Sequence, residues 1–174
     1  MSLRSHLELM PGGATRAVTV RVTRQFSATV ECVFDAWLDP LTAGSSLFAS
    51  DAGEVVRAEI DARTGGRFRF VRRENGTEVR CAGEYLSIDR PHLLAFSLSD
   101  SAGTPTDDRV IIELASIGPG SLLVLTHEMG FERYAERQRI ESVWRRRLGI
   151  LASLCPIRRG ADFPPVRQRS LTLA

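Results

Sequence analysis

The chain has 174 residues, of which 43% are apolar and 25% charged, and its formal net charge is +2. That length suits one domain of roughly 100–200 residues with a core that needs no metal or disulfide staple, and the composition excludes wholesale disorder. So small a charge gives no case for nucleic acid, and because all 23 basic residues are Arg, Schiff-base, phosphate-loop and general-base lysines are excluded.

Residues 1–15, with Pro11-Gly12-Gly13, read as a flexible leader before a domain over 16–155. Val18, Val20 and Val22 alternate with Thr19, Arg21 and Thr23 up to Phe26, the period of a half-buried strand. Val30, Val33, Phe34 and Trp37 follow at helical spacing. Thr29 is the expected N-cap, Glu31 adds favourable charge in the first turn, and Asp39-Pro40 should stop the helix. Leu41 to Phe48 reads as a short second helix or an irregular turn.

Strands then dominate. Glu54–Asp61 is one, closed by Thr64-Gly65-Gly66, and Arg67–Val71 is the next, with Phe68 and Phe70 alternating against Arg67 and Arg69. Asn75-Gly76 is a strong hairpin signal, and the partner strand runs from Thr77 to Asp89. After Arg90-Pro91 comes a strand over His92–Ser99, then a loop over Ser101–Thr106. Asp108–Ala115 and Ser121–Met129 form a last hairpin across Gly118-Pro119-Gly120. Glu132 to Cys155 reads as one long helix whose apolar stripe holds Ile140, Val143, Trp144, Leu148, Ile150, Leu151, Leu154 and Cys155. Pro156 ends it, and residues 156–174 form an Arg- and Pro-rich tail. Strand, helix, short helix, six strands and long helix make an α+β domain with an antiparallel sheet.

Cys32, Cys81 and Cys155 are dispersed without a C-x-x-C, which reads as buried thiols in a reducing compartment. His6, His92 and His127 show no zinc spacing, so no metal and no cofactor are expected. No apolar stretch approaches signal-peptide or membrane-span length, so the expected location is cytoplasmic with no stable membrane insertion. Leu122-Leu123-Val124-Leu125 is apolar on both faces. Such a strand needs cover, and a second subunit, making a homodimer, is one source.

Phe34-Asp35-Ala36-Trp37-Leu38-Asp39-Pro40, Gly65-Gly66-Arg67-Phe68-Arg69-Phe70, Gly83-Glu84-Tyr85-Leu86-Ser87-Ile88-Asp89-Arg90-Pro91, Leu125-Thr126-His127 and Trp144-x-x-x-Leu148 stand in that order. Together they resemble the bacterial homologues of the activator of the heat-shock-protein-ninety ATPase, within the START-like (SRPBCC) superfamily. The resemblance covers roughly residues 17–155. It implies a helix-grip fold: a curved antiparallel sheet of about six or seven strands around a long C-terminal helix, two short helices after the first strand, and an apolar cavity between sheet and helix. The family usually has Trp-Trp-Gly-Pro where this chain has Ala43-Gly44-Ser45-Ser46-Leu47-Phe48, and Gly where it has Val143. By that resemblance both positions border the cavity, so its mouth and volume should differ from those of relatives.

Three functions are compatible with such a cavity. The leading one is binding of a small apolar or amphipathic molecule. A polyketide cyclase or hydrolase using the same cavity is an alternative, and so is a chaperone-regulating interaction domain. The residues to inspect are Phe68, Phe70, Tyr85, His127, Trp144 and Arg147. The aromatics are either core or cavity wall. His127 is either a satisfied structural histidine or a general base. Glu84 and Glu128 are expected on the solvated face. Arg147 falls near the middle of the apolar arc of the last helix, between Val143, Ile150, Leu151 and Leu154, where it must snorkel, pair with a carboxylate or meet an anionic ligand. Arg145-Arg146-Arg147 and Arg158, Arg159, Arg167 and Arg169 lack interleaved aromatics and read as a solvated basic end. No Ser or Cys triad can be assigned.

Overall fold

The computed structural model describes residues 17–50, 53–99, 105–155 and 171–172. The expected leader, the loop tip at 101–104 and the tail residues 156–170 lie outside them.

The chain runs β1 (Ala17–Phe26), α1 (Val30–Leu38), α2 (Pro40–Ser46), β2 (Gly53–Ile60), β3 (Arg67–Glu74), β4 (Thr77–Asp89), β5 (Leu93–Ser99), β6 (Pro105–Ile117), β7 (Gly120–Gly130), a 3₁₀ turn (Phe131–Glu136) and α3 (Arg137–Leu154). A two-residue strand, β8 (Leu171–Thr172), which the sequence did not suggest, pairs with β2. All pairings are antiparallel, in the order β1-β7-β6-β5-β4-β3-β2-β8.

Local chemistry sets these boundaries. Thr29 Oγ1 accepts from the Cys32 N–H and caps α1. Asp39 ends α1 and starts α2: its N–H bonds the Asp35 carbonyl and its carboxylate accepts from the Thr42 N–H at 2.8 Å, with Pro40 in the first turn. At the β3–β4 hairpin Asn75 (φ 50°) and Gly76 (φ 80°) both take the positive φ that this turn needs.

Register shifts at Val55/Arg57, Tyr85/Ser87 and Ser97/Ser99 interrupt three ladders, and such irregularities bend and twist a sheet. Where β4 leaves β5, side chains replace main-chain pairing. The Ser99 hydroxyl accepts from the Ala82 N–H at 3.1 Å and donates to the Ala82 carbonyl, and Ser97 Oγ accepts from the Glu84 N–H.

The C-terminal helix differs from expectation in two ways. Its first turn is 3₁₀ rather than α, which goes with Arg133 reaching back from this turn to Asp108 on β6. Its buried stripe is also narrower. Ile140, Trp144, Leu148 and Leu151 are buried with Cys155 just beyond the helix, whereas Ile150 and Leu154 are 36% and 46% exposed. Arg147 therefore sits at the rim of the buried arc, not near its middle. The core between helices and sheet is built on Phe34, Trp37, Phe70, Phe96, Leu125 and Leu148.

Candidate functional site

Strand alternation turns Phe68 and Phe70 inward while Arg67 and Arg69 face solvent. Tyr85 on β4 and Phe96 on β5 join them. Phe68 meets Tyr85 at 5.3 Å and Phe96 edge-on at 5.4 Å between ring centres. Gly83 makes this approach feasible, because a Cβ there would run into the Phe68 ring and the Ser97 carbonyl. Phe48, which the sequence did not single out, stacks on Phe70 at 4.2 Å. Trp37 from α1 lies 6.0 Å from Phe96 and 6.2 Å from Trp144 of α3. Phe68, Phe70, Tyr85, His127 and Trp144 are all buried. They belong to one aromatic layer, and burial pushes the Tyr85 phenol well above its ordinary value.

His127 points inward, as its alternation with Leu125 and Met129 predicts. Both ring nitrogens have partners. The Trp144 indole N–H donates to Nδ1 at 3.0 Å, and Nε2 lies 3.0 Å from Asp108 Oδ2. An indole nitrogen can only donate, so Nδ1 accepts, and the ring proton sits on Nε2 and points at the carboxylate. Asp108 also takes a contact from Arg133, which bonds Glu136 at 3.1 Å, and Glu136 in turn takes Arg139 at 2.7 Å. Burial pushes the Asp108 carboxyl up, but hydrogen bonds from His127 and Arg133 outweigh it and hold the group below its ordinary value. Arg133 and Arg139 hold Glu136 down at about 2. No local pattern in the sequence marks Asp108, whose inward turn is decided by the phase of β6 and by its partners His127 and Arg133. With its lone pair occupied by Trp144, His127 has both ring nitrogens partnered.

Arg147 is the exception to this satisfaction. Its Nε is buried without a hydrogen-bond partner, and no carboxylate among the described residues pairs with it. Its guanidinium carbon lies 5.3 Å from the centre of the Trp144 ring, a cation–π placement. Burial, aided by the charges of Arg72 and Arg146, pulls the guanidinium down to about 10, against a pull upward from Cys81. Charge survives at neutral pH, so a cation is held over the aromatic layer. Among the described residues a second buried donor without a partner is Trp37 Nε1, and Trp37 neighbours the same Trp144 ring.

A pocket of about 280 Å³ opens between α2 and β2, lined by Pro40, Leu41, Gly44, Ser45, Val55 and Ala58 among others. It lies where this chain carries Ala43-Gly44-Ser45 in place of the bulkier residues expected there. A Cβ on Gly44 would sit 3.5 Å from Val55 and 3.7 Å from Phe70, so Phe70 stands directly behind it. Glu84 faces outward, 3.8 Å from Arg67. Among the described residues no group of three His, Cys, Asp or Glu is placed to hold a metal, and no helix is long and apolar enough to cross a membrane.

A curved antiparallel sheet gripping a long C-terminal helix over an aromatic layer defines an α+β protein of the helix-grip type. Residues 27–155 match the family described as Activator of Hsp90 ATPase homolog 1-like protein, and the chain belongs to that family. Among solved structures it is similar to a Chromobacterium violaceum protein, at 26% identity and a TM-score of 0.69, over 79% of this chain and 96% of that one. It is also similar to an AHSA1-like protein of Aeromonas hydrophila, at 16% identity and a TM-score of 0.69, over 83% and 100% of the two chains. A Rhodobacter sphaeroides protein is similar at 20% identity and a TM-score of 0.68, over 84% and 95%. No curated protein matches the chain.

Proposed function

We propose that this protein binds a small amphipathic molecule between its sheet and its C-terminal helix. The apolar body enters through the pocket between α2 and β2, towards the Phe48–Phe70 stack, and an acidic or carbonyl head meets Arg147 and Trp37. The carrying observation is the pair of buried N–H donors, Arg147 Nε and Trp37 Nε1, each left without an acceptor and each on a side chain that neighbours the Trp144 ring. An unpaired buried donor costs on the order of 1–3 kcal/mol, and a ligand oxygen that accepts from one of them removes that cost. Binding is favoured over acid–base chemistry at His127 because Trp144 already occupies the Nδ1 lone pair.

Dodecanoate and dodecanol, titrated against the protein by calorimetry, separate head-group recognition from apolar burial. The acid should bind roughly tenfold or more tightly, as charge-assisted hydrogen bonds contribute about 1.5–3 kcal/mol. Arg147→Leu should abolish that preference and leave dodecanol unaffected. An Arg147→Leu protein with full affinity for dodecanoate ends this reading. Native mass spectrometry of protein purified from cell extract, against the same sample denatured, then identifies any molecule the cavity carries.

A further inference from the structure

β1 is the end strand of the sheet. Among the described strands its one neighbour is β7, which pairs with all ten of its residues without a register shift. The opposite edge differs. There β2 carries a shift at Val55/Arg57 and takes β8 against Arg57 and Ala58. An unshifted edge strand without proline presents a row of backbone N–H and C=O groups to any strand that approaches.

The charges along this edge are of one sign. β1 contains Arg21 and Arg24 and no acidic residue. Both arginines are exposed, and neither makes an ion pair among the described residues. They face different sides of the strand. Arg21 is in phase with the exposed Thr19 and Thr23, whereas Arg24 is in phase with the buried Val18, Val20 and Val22. Its guanidinium reaches α3, where a Cβ on Gly149 would sit 3.7 Å from it.

At the start of the strand, Ala17, Val18 and Thr19 line an open groove of about 560 Å³ with Phe131, Tyr134 and Arg137. Phe131 and Tyr134 are each 51% exposed, with ring centres 5.8 Å apart. The Arg137 guanidinium lies 5.1 Å from the centre of the Tyr134 ring, and no carboxylate among the described residues pairs with it. Exposed aromatics beside arginine are the composition of an interface rather than of ordinary surface.

We propose that the free edge of β1 is a docking site for an acidic, extended segment of a partner protein, which adds to the sheet as an antiparallel strand. Backbone hydrogen bonds supply the affinity and alternate side chains the specificity. The geometry sets the spacing of the motif, because Arg21 stands three positions and Arg24 six positions after Val18. An apolar partner residue opposite Val18 enters the groove beside Phe131 and Tyr134. In an antiparallel partner, carboxylates three and six positions earlier then meet Arg21 on the outer side and Arg24 on the α3 side. The segment therefore reads acid-x-x-acid-x-x-apolar. A second copy of this chain fits less well. β1 paired with β1 sets the arginines of both copies along one seam, where like charges repel. This surface is separate from the pocket between α2 and β2, so its test is independent of the ligand-binding reading.

The probe is a fluorescein-labelled peptide, Glu-Thr-Val-Glu-Thr-Thr-Phe with Gly-Ser flanks and an amidated end, titrated with the full chain and followed by anisotropy. It should bind, and replacing both Glu by Gln should weaken it roughly fivefold or more. Reversing the exposed charges, with Arg21→Glu and Arg24→Glu together, should cause a similar loss and favour the same peptide with Lys in place of Glu. Only alternate amides of an added strand face the sheet. Methylating one alternate set of peptide nitrogens should abolish binding, and methylating the other should leave it within about threefold. The peptide series on the parent protein decides alone if the double variant fails to fold. Equal effects of the two methylation patterns, equal affinity of the Glu and Gln peptides, or no binding at about 1 mM peptide each overturn the proposal. Sedimentation of the free protein as a dimer that the double variant dissociates also overturns it, since the edge then belongs to a second copy.

Discussion

The indole nitrogen of Trp144 donates to Nδ1 of His127 at 3.0 Å, and that bond joins the C-terminal helix to the sheet. It also decides where the imidazole proton sits, on Nε2 against Asp108. Trp144→Phe keeps most of the ring and removes the donor, leaving a buried nitrogen unpaired. It should cost about 1–3 kcal/mol in urea unfolding, and the histidine nitrogen signals in an NMR spectrum should lose their single-tautomer pattern. A change smaller than about 0.5 kcal/mol with an unaltered tautomer would show that the bond contributes nothing measurable.

Asp108 makes stability depend on pH in the acid range. Its carboxyl is held below the ordinary value of 3.8, with hydrogen bonds from His127 and Arg133 outweighing burial. The unfolded chain therefore takes up the proton first as pH falls. The contribution is present in full above the unfolded value and is lost as pH drops through the folded one. Unfolding free energies followed from neutral pH to about pH 2 should fall on this limb. Asp108→Asn should be less stable at pH 7 and show a flatter decline. An Asn variant with the parent's acid slope would assign that slope to other carboxylates.

The buried carboxylate of Asp35 is gripped by Arg90 through two bonds of 2.7 Å each. Arg90 belongs to the turn before β5, so the pair ties that turn to α1. Arg90 is half exposed, so water lessens what its loss costs. Arg90→Ala should destabilise by roughly 2 kcal/mol, below the 3–5 expected of a wholly buried pair. Arg90→Lys should restore only part, since an ammonium cannot reproduce the two-pronged geometry. Thermal melts of both variants test this, and full rescue by Lys would show that charge alone matters.

Strand phase and turn chemistry made most of the fold readable from sequence. The Val18-Val20-Val22 alternation, the Thr29 cap, Asp39-Pro40 and Asn75-Gly76 each act locally, and each sits where its chemistry requires. What was hidden depends on partners distant in sequence. Asp108 turns inward to meet His127 and Arg133, and no local pattern marks it. Phe48 lies in a segment without regular period, so its stack on Phe70 has no sequence signature. A helical wheel treats every apolar residue as a stripe residue. The sheet covers only part of the helix, which leaves Ile150 and Leu154 in water and puts Arg147 at the rim. For Arg147 the sequence posed the right question, but only the arrangement of carboxylates around it showed that none of the described ones answers its charge.

Gly44 offers a way to separate the pocket between α2 and β2 from the stability of the fold. It is helical and buried, and a Cβ there meets Val55 and Phe70 at ordinary contact distances. Gly44→Leu should therefore be accepted by the backbone and even stabilise α2, by up to about 1 kcal/mol, since glycine is a poor helix former. Its side chain would project into the 280 Å³ pocket. If apolar ligand bodies enter there, affinity for both dodecanoate and dodecanol should fall together, unlike in Arg147→Leu, where only the acid suffers. Melting temperature and the two affinities measured on one preparation give the answer. Parent-like binding in a stable Gly44→Leu protein would place the ligand's entrance elsewhere and leave this pocket as a surface dent.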